Sequence, residues 1–376
     1  MKIETRITLA KLGLLAVVSL VCLGLVEFSL RMIYANQEPP YSISPGAGKT
    51  YSVINPEFTH SVTTNSLNFR DEEIIEKQPD EHRVLFIGDS FTFGLGVEMS
   101  DVFHSRMERT LTFTGKRINA INLGGKARGF RETGEVIDEF EPDAIVAQIF
   151  IGNDFYDLQV EVARIDAEKR AANSRANSGD SLNSGKQGGD QFTPGPLAVP
   201  FDPRGEYRKF LIMEILWRNL LNIEAFDDFF FMTEIRYRGR ALLLREQPDL
   251  ERRLIQRELE LLADLSDITR SKGVPLYVFI IPYQVQALKA HLLDVEKYDY
   301  QKPNRILKEF FAEREVPCLD FLDLYDQLER ETVTTFYYNR DGHWSREGHE
   351  HAARALALFL SEIDPRYKAR PGAPPS

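Results

Sequence analysis

Short apolar runs that alternate with segments of helical spacing limit this chain more than any other feature. Residues 84–87 (Val-Leu-Phe-Ile) stop at Gly88, and 118–123 stop at Gly124-Gly125. Residues 144–151 are apolar except for Gln148 and stop at Gly152, and 276–281 stop at Pro282. Residues 316–322 hold a fifth, shorter candidate. Runs of four to eight apolar residues bounded by Gly or Pro are the mark of strands buried on both faces. Between them, helical spacing is found at 101–114, 133–140, 207–231, 250–272, 303–314 and 346–362. Strands alternating with helices predict an α/β fold with a central parallel sheet covered on both sides. Ligands of such sheets bind beyond the carboxyl ends of the strands. That rule singles out Gly88-Asp89-Ser90, residues 124–129 and Gly152-Asn153-Asp154.

Charge and cysteine content narrow the function classes. The chain of 376 residues has a net charge of −11, the wrong sign for a phosphate backbone, so nucleic acid is excluded as the main partner. Two cysteines, Cys22 and Cys318, cannot make a disulfide framework or a cysteine-based zinc site. A stretch of 15 uncharged residues, 12–26, is preceded by Lys2, Arg6 and Lys11 and followed by Arg31. It is shorter than the ~18–20 residues of a full span, but Lys11 and Arg31 can snorkel and lengthen it. No small-residue cleavage site follows closely. Residues 1–36 are therefore expected to be an uncleaved signal anchor, with a cleaved signal peptide as the alternative. The basic flank puts the N-terminus in the cytoplasm and the rest of the chain outside it.

The remaining organisation follows composition. Residues 37–82 are expected to be a linker and lead-in; 36–60, rich in Pro, Ser and Gly, read as a linker or a wrapping loop. Residues 45–50 imitate a phosphate-binding loop but have Ile43 where its first glycine is required, and no strand precedes them. The main domain is expected over 83–364, interrupted at 165–205 by a polar insertion too poor in apolar residues to order itself, with a tail at 365–376. The insertion follows a strand end, where it is either a lid or an inert loop.

Ser90, directly after a strand, would stand exposed at the top of the sheet. A serine hydroxyl needs a base before it is a nucleophile. His343 is placed to be that base, in a loop before the last helix, and Asp341 is two residues upstream to orient it. Donors for an oxyanion are available in the backbone N–H of Ser90, a glycine N–H after the second strand, and the side-chain amide of Asn153. Asp89 and Asp154 read as hydrogen-bond acceptors that organise their loops. His349 and His351 lie too close together for one helix face and Ala353 stands where a second zinc ligand would be, so no metal site is expected and His349 reads as a packing residue. The aromatic run at 226–231 reads as core packing, with the lining of an acyl pocket as the alternative; Tyr337 and Tyr338, close to Asp341, are candidates either for a substrate wall or for the core. Trp344 is a candidate either to shield the imidazole or to stack on a sugar.

These residues carry a resemblance. The chain resembles the SGNH hydrolases, or GDSL esterase/lipase family, in Gly88-Asp89-Ser90 with Phe91-Thr92-Phe93-Gly94, in Asn122-Leu123-Gly124, in Gly152-Asn153-Asp154, and in Asp341-Gly342-His343 with Gly348-His349. Residues 64–70 (Thr-Asn-Ser-Leu-Asn-Phe-Arg) look like the lead-in of membrane-anchored bacterial members, similar to alginate O-acetyltransferase-like proteins. The resemblance implies a flavodoxin-like three-layer α/β/α sandwich, Ser90 as nucleophile, His343 as base, Asp341 as its partner, and an oxyanion hole of Ser90, Asn153 and Gly129, with Gly125 as the alternative glycine. The family's last block is usually Asp-x-x-His. Here Arg340 takes that position and the acid moves one residue closer to the histidine. The third block lacks the usual residue between Gly152 and Asn153. The activity implied is cleavage of a small acyl ester on an extracytoplasmic glycan or lipid, with no cofactor. The alternatives are an O-acetyltransferase acting on an exported polysaccharide, and a membrane-tethered scaffold without chemistry.

Overall fold

The computed structural model describes residues 46–55, 57–125, 133–177, 240–339 and 341–370, together with 18, 21–27 and 29 near the N-terminus. Two units separate: 1–39 with 179–236, and 40–178 with 237–376. In the first, the described residues are helical, and Val18, Val21, Leu23, Leu25 and Val26 are exposed. No helix among the described residues is long and apolar enough to cross a membrane. Most of the expected anchor, the aromatic run at 226–231 and the helix expected over 207–231 lie outside the described residues.

The second unit is built on a seven-stranded sheet. Its strands are β3 (Glu81–Ile87), β4 (Leu111–Phe113), β5 (Lys116–Asn122), β6 (Ala144–Phe150), β7 (Leu276–Ile281), β8 (Cys318–Asp320) and β9 (Tyr367–Ala369), in the order β8-β7-β6-β3-β5-β4-β9. β8, β7, β6, β3 and β5 are parallel, and β4 pairs antiparallel with both β5 and β9. The five parallel strands follow the 2-1-3-4-5 order of flavodoxin-type doubly wound sheets. The chain leaves β3 to make β5 on one side, then returns to make β6 on the other. The crevice of that reversal opens above the carboxyl ends of β3 and β6.

Period-two alternation divides the core. Val84, Phe86 and Val146 face one layer with Phe103, Met107, Leu356 and Leu360. These come from helices α2 (Phe103–Thr110) and α9 (Arg346–Ile363). Leu85, Ile87, Ile145 and Ile149 face the other, with Leu254, Leu262, Leu265 and Phe311. This layer holds α3 (Thr133–Phe140), α6 (Asp249–Ser271) and α7 (Lys302–Glu313). Each fully buried Leu, Ile or Phe contributes about 1.5–3 kcal/mol of apolar burial, and both faces of β3 and β6 draw on it. Two short helices start immediately after strands, α1 (Ser90–Phe93) after β3 and α4 (Asp154–Asp157) after β6, and α8 (Phe321–Tyr325) follows β8.

Three expectations are corrected here. The helix expected over 101–114 ends at Thr110, where Leu111 takes extended backbone, and 111–113 form the edge strand β4, which the positive φ of Thr114 and Gly115 folds against β5. The insertion at 165–205 is helical over its first part, since α5 runs Gln159–Asn177; 178–205 lie outside the described residues. The largest correction is to the expected linker. Within it, β1 (Thr50–Ile54) and β2 (Thr59–Thr63) form an antiparallel hairpin. Val53, Phe58 and Val62 of that hairpin bury themselves against Phe93 and Leu95, just downstream of Ser90.

Candidate active site

The turn after β3 is fixed before any side chain is considered as chemistry. Asp89 caps α1 by accepting a hydrogen bond from the Phe91 N–H at 2.8 Å, as its position predicts. Its own N–H donates to Gln148 Oε1 at 2.9 Å, and the Thr92 hydroxyl donates to the same oxygen at 3.0 Å. Gln148 is the one polar residue of β6 and is buried. It pins the α1 turn to the neighbouring strand, a role that a lone polar residue in an apolar strand signals. Buried His104 donates from Nε2 to the Thr92 carbonyl at 3.2 Å; burial holds its pKa down near 3, so it is neutral. Gly124 closes the other side. A Cβ there would lie 2.1 Å from the Phe93 nitrogen and 2.5 Å from the Thr92 carbonyl carbon, so only glycine lets the end of β5 approach this turn.

Ser90 stands in the first turn of α1, with its Oγ 2.6 Å from His343 Nε2. His343 Nδ1 lies 2.5 Å from Asp341 Oδ1. A carboxylate on Nδ1 assigns the imidazole proton to that nitrogen and leaves Nε2 to accept the Ser90 hydroxyl proton. The acid works from two residues upstream because of Gly342. Its φ of +87° folds the chain back between Asp341 and His343. That conformation is glycine's, and it brings the carboxylate to the ring without the usual additional residue. The loop is closed by Tyr338 N–H donating to the His343 carbonyl at 2.8 Å and Gly342 N–H donating to the Tyr338 carbonyl at 3.0 Å.

The electrostatics agree with the geometry. Burial pulls the His343 pKa down, but the hydrogen bond and charge of Asp341, with the charge of Asp89, outweigh it and leave the imidazole raised above its ordinary value. The buried Asp89 carboxyl is pushed up, against the pull of the Phe91 N–H and of His343. Asp154 accepts from the Phe150 N–H at 2.7 Å, matching the loop-organising role expected of it. Burial, then the charges of Asp89 and Glu258, raise it well above the carboxylate range.

The oxyanion residues divide. Asn153 lies at the start of α4, beyond β6, and its buried Oδ1 has no partner among the described residues. The Ser90 N–H is in a first helical turn, where no intrahelical acceptor exists. The Gly125 N–H is already committed, donating to the carbonyls of Gly88 and Asp89, both at 3.1 Å. The alternative glycine therefore has no donor to offer, and Gly129 lies outside the described residues. Trp344 is fully buried among Phe91, Phe103 and Phe321, which rules out stacking on a sugar; Tyr337 is likewise a core residue. Tyr338 keeps partial exposure and donates its hydroxyl proton to the Gly96 carbonyl at 2.8 Å. His349 is buried and stacked on Phe103, a packing residue as expected.

Sequence reasoning missed the N-terminal partners of this site. Arg70 is buried and donates to four carbonyls: Phe93 at 3.1 Å, Gly94 at 2.6 Å, Ser61 at 3.0 Å and Val97 at 2.7 Å. It ties the hairpin to the loop that continues from Ser90. The Arg70 carbonyl accepts from Asn122 Nδ2 at 3.1 Å, and Asp71 accepts from the Asn122 N–H at 2.7 Å, which fixes the lead-in to the end of β5.

Comparison with known proteins adds one sequence match. Residues 229–374 match the model of the SGNH hydrolase-like domain of acetyltransferase AlgX. The match covers under half of the chain and includes Asp341 and His343 but not Ser90. No curated protein matches the chain. Among solved structures, the lipase/acylhydrolase from Enterococcus faecalis is similar over 77% of this chain and 98% of its own, at 12% identity and a TM-score of 0.39. The Clostridium thermocellum family 3 carbohydrate esterase is similar over 75% of this chain and 96% of its own, at 10% identity and a TM-score of 0.36. Similarity at that level carries no weight for fold or function. Over residues 229–374 the chain is similar to an SGNH hydrolase-like domain, and the blocks around Ser90, Asn153 and His343 resemble those of the SGNH/GDSL family.

Proposed function

We propose that this protein is a serine-dependent enzyme that takes an acyl group from an ester through a covalent intermediate on Ser90. The observation that carries the reading is the unbroken line from Ser90 Oγ through His343 to Asp341, at 2.6 and 2.5 Å. Ser90 Oγ attacks the ester carbonyl while its proton passes to His343 Nε2. Asp341 stabilises the imidazolium that results. The carbonyl oxygen becomes an oxyanion, received by the Ser90 N–H, the Asn153 amide and the Gly129 N–H. On collapse the C–O bond to the leaving alcohol breaks, and His343 returns the proton to that alcohol. An acceptor hydroxyl then attacks the acyl-serine with His343 again taking its proton, and Ser90 is restored.

With water as acceptor the protein is an esterase. A second reading is supported by the AlgX name of the matching family model: the acceptor is a sugar hydroxyl and the protein is an O-acetyltransferase acting on a glycan. The two share every step up to the acyl-enzyme. The scaffold reading would be served by a serine and histidine held apart, and the 2.6 Å separation speaks against it. The basic flank and uncharged run at residues 12–26 support an N-terminal anchor with the catalytic unit outside the cytoplasm.

A fluorophosphonate probe tests the reaction class. Wild type should label, while Ser90→Ala should not, and His343→Ala should label at least about 10³-fold more slowly. A folded wild type that fails to label, or a Ser90→Ala protein that labels equally, would reject the assignment. Turnover of p-nitrophenyl acetate with and without an oligosaccharide, followed by mass spectrometry of the sugar, separates esterase from transferase.

A further inference from the structure

We propose that Asn55 and Glu57, in the turn of the β1–β2 hairpin, are positioning residues for the His343–Asp341 pair. The kinetic part of this inference rests on the acyl-enzyme reading above; the structural part does not.

Asp341 has one carboxylate oxygen on His343. The other, Oδ2, lies 3.4 Å from Asn55 Nδ2, and the Asp341 backbone N–H donates to Glu57 Oε2 at 2.8 Å. The acid is thus held at its side chain and at its main chain from a segment more than 280 residues away in sequence. The hairpin turn is itself braced for this. Asn55 N–H donates to the Phe58 carbonyl at 2.9 Å, and Phe58 N–H returns a bond to the Asn55 carbonyl at 3.2 Å. Glu57 N–H donates to Asn55 Oδ1 at 2.9 Å. That bond fixes which end of the Asn55 amide is the oxygen and leaves Nδ2 to face Asp341. The Phe58 ring packs on Tyr338, at 4.7 Å between centroids, at the base of the 338–343 loop.

Outside bracing has a physical reason here. Only Gly342 separates the acid from the base, and glycine has more backbone freedom than any other residue. The bond between Asp341 and His343 therefore depends on what holds the Asp341 main chain still. Glu57 acts through its position. The charges that raise His343 are those of Asp341 and Asp89. Among the described residues, the other titratable groups that act on the pair or on Tyr338 beside it include Glu57, Glu347, Asp101, His60 on β2 and His349 on α9; both histidines are pulled down by burial and neutral.

The test compares wild-type full chain with Glu57→Ala, Glu57→Gln and Asn55→Ala, using histidine-labelled NMR and steady-state turnover of p-nitrophenyl acetate. Glu57→Ala should move the His343 Hδ1 resonance upfield and lower the His343 pKa. It should cut kcat roughly tenfold with KM within about twofold, a loss of the kind that misplaced catalytic groups produce. Because Asp341 raises the His343 pKa, weakening that bond shifts the acid limb of activity to lower pH. Asn55→Ala should do the same to a lesser degree. Glu57→Gln keeps an acceptor oxygen and should match wild type. A merely structural role would lower the melting temperature and leave the resonance, the pKa and the acid limb in place, and that result overturns the proposal. If Glu57→Ala does not fold, Asn55→Ala decides by the same readouts. Should the resonance respond while no variant, wild type included, turns over ester, the positioning stands and the acyl-enzyme reading falls. Full turnover in all variants with an unmoved resonance gives the reverse.

Discussion

Ser90 and Asp341 are held by two regions built on different physics. The strands under Ser90 are buried on both faces: all seven residues of β3 and six of the seven in β6 are inaccessible, and most are aliphatic or aromatic. The hairpin and lead-in bury little. In β2 only His60 and Val62 are inside. Order in that region comes from side chains bonded to backbone. Asn65 Oδ1 accepts from the N–H groups of Leu67 and Phe69, Thr64 Oγ1 donates to the Gly46 carbonyl, and the Arg70 guanidinium serves four carbonyls. Apolar burial is strong and non-directional, whereas hydrogen bonds are individually modest but directional. The sheet therefore decides where Ser90 is, and the hairpin with its lead-in decides how the Ser90 turn and Asp341 are aimed. Damage to the sheet should appear first as lost stability. Damage to the hairpin side should reach activity.

Arg70 is the hardest test of that division, because it belongs to the hairpin side yet is as buried as the core. Burial lowers its pKa to about 10, so it remains charged at neutral pH. Arg70→Met keeps the apolar stem and strands the carbonyls of Phe93, Gly94, Ser61 and Val97. At roughly 1–3 kcal/mol for each buried group left unsatisfied, with some relaxation, a loss of about 4 kcal/mol is expected in urea unfolding. Activity should fall even where the protein is fully folded, because two of those carbonyls lie within four residues of Ser90. Arg70→Lys keeps the charge but not the planar fork and should recover only part of either. A folded Arg70→Met protein with normal turnover would break the division.

Glu258 is a buried acid on the sheet side. It is buried on α6, and its Oε1 has no partner among the described residues. Burial is the main cause of a pKa raised to about 7, with the charge of Arg257 opposing. Its folded value lies above the unfolded value, so its stabilising contribution is present at low pH and is lost as pH rises from about 4.5 through 7. Across that window the loss is of order 3 kcal/mol. Glu258→Gln should remove it, so the variant should gain on wild type between pH 5 and 8. His60 and His104, held near 3 by burial, act in the opposite sense and lose stability as pH falls below about 6.5. They are common to both proteins and cancel in the difference. Melting temperatures of the pair against pH check the sign, and an unchanged or reversed gap would show that Glu258 is ionised in the fold.

The same division explains what could be read from sequence. Strands β3, β5, β6 and β7 are legible because burial on both faces leaves continuous apolar runs with glycine or proline at the end. The hairpin is not, because its inward positions include His60 and its composition is that of a linker. Ser90, Asp341 and His343 are legible because each occupies a strand end or a terminal loop, and the structure brings all three together. Asn55 and Glu57 lack any local signal; their contacts with Asp341 bridge most of the chain, and spacing rules see only neighbours. Gly125 shows the limit from the other side. A glycine in the right place can have its N–H already committed to Gly88 and Asp89, and no sequence pattern reports that.

The smallest expected effect separates backbone conformation from space at the junction of the two regions. A Cβ on Gly342 would have room, its nearest neighbour being Gln284 Oε1 at 3.5 Å, but φ is +87°. Gly342→Ala should therefore cost about 1 kcal/mol, the strain of an L-residue in that region, with no clash added. If the hairpin bracing holds the loop, the strain appears as lost stability, and the Asp341–His343 bond and the acid limb of activity stay as in wild type. If the loop relaxes instead, Asp341 swings off the ring, the His343 pKa falls, and activity drops while stability is regained. Gly342→Ala in the Glu57→Ala background distinguishes the two. With the brace removed, relaxation should win, and the two substitutions should lower kcat by more than the product of their separate effects. Simple additivity of the two would mean that the hairpin turn and the Asp-Gly-His loop act independently.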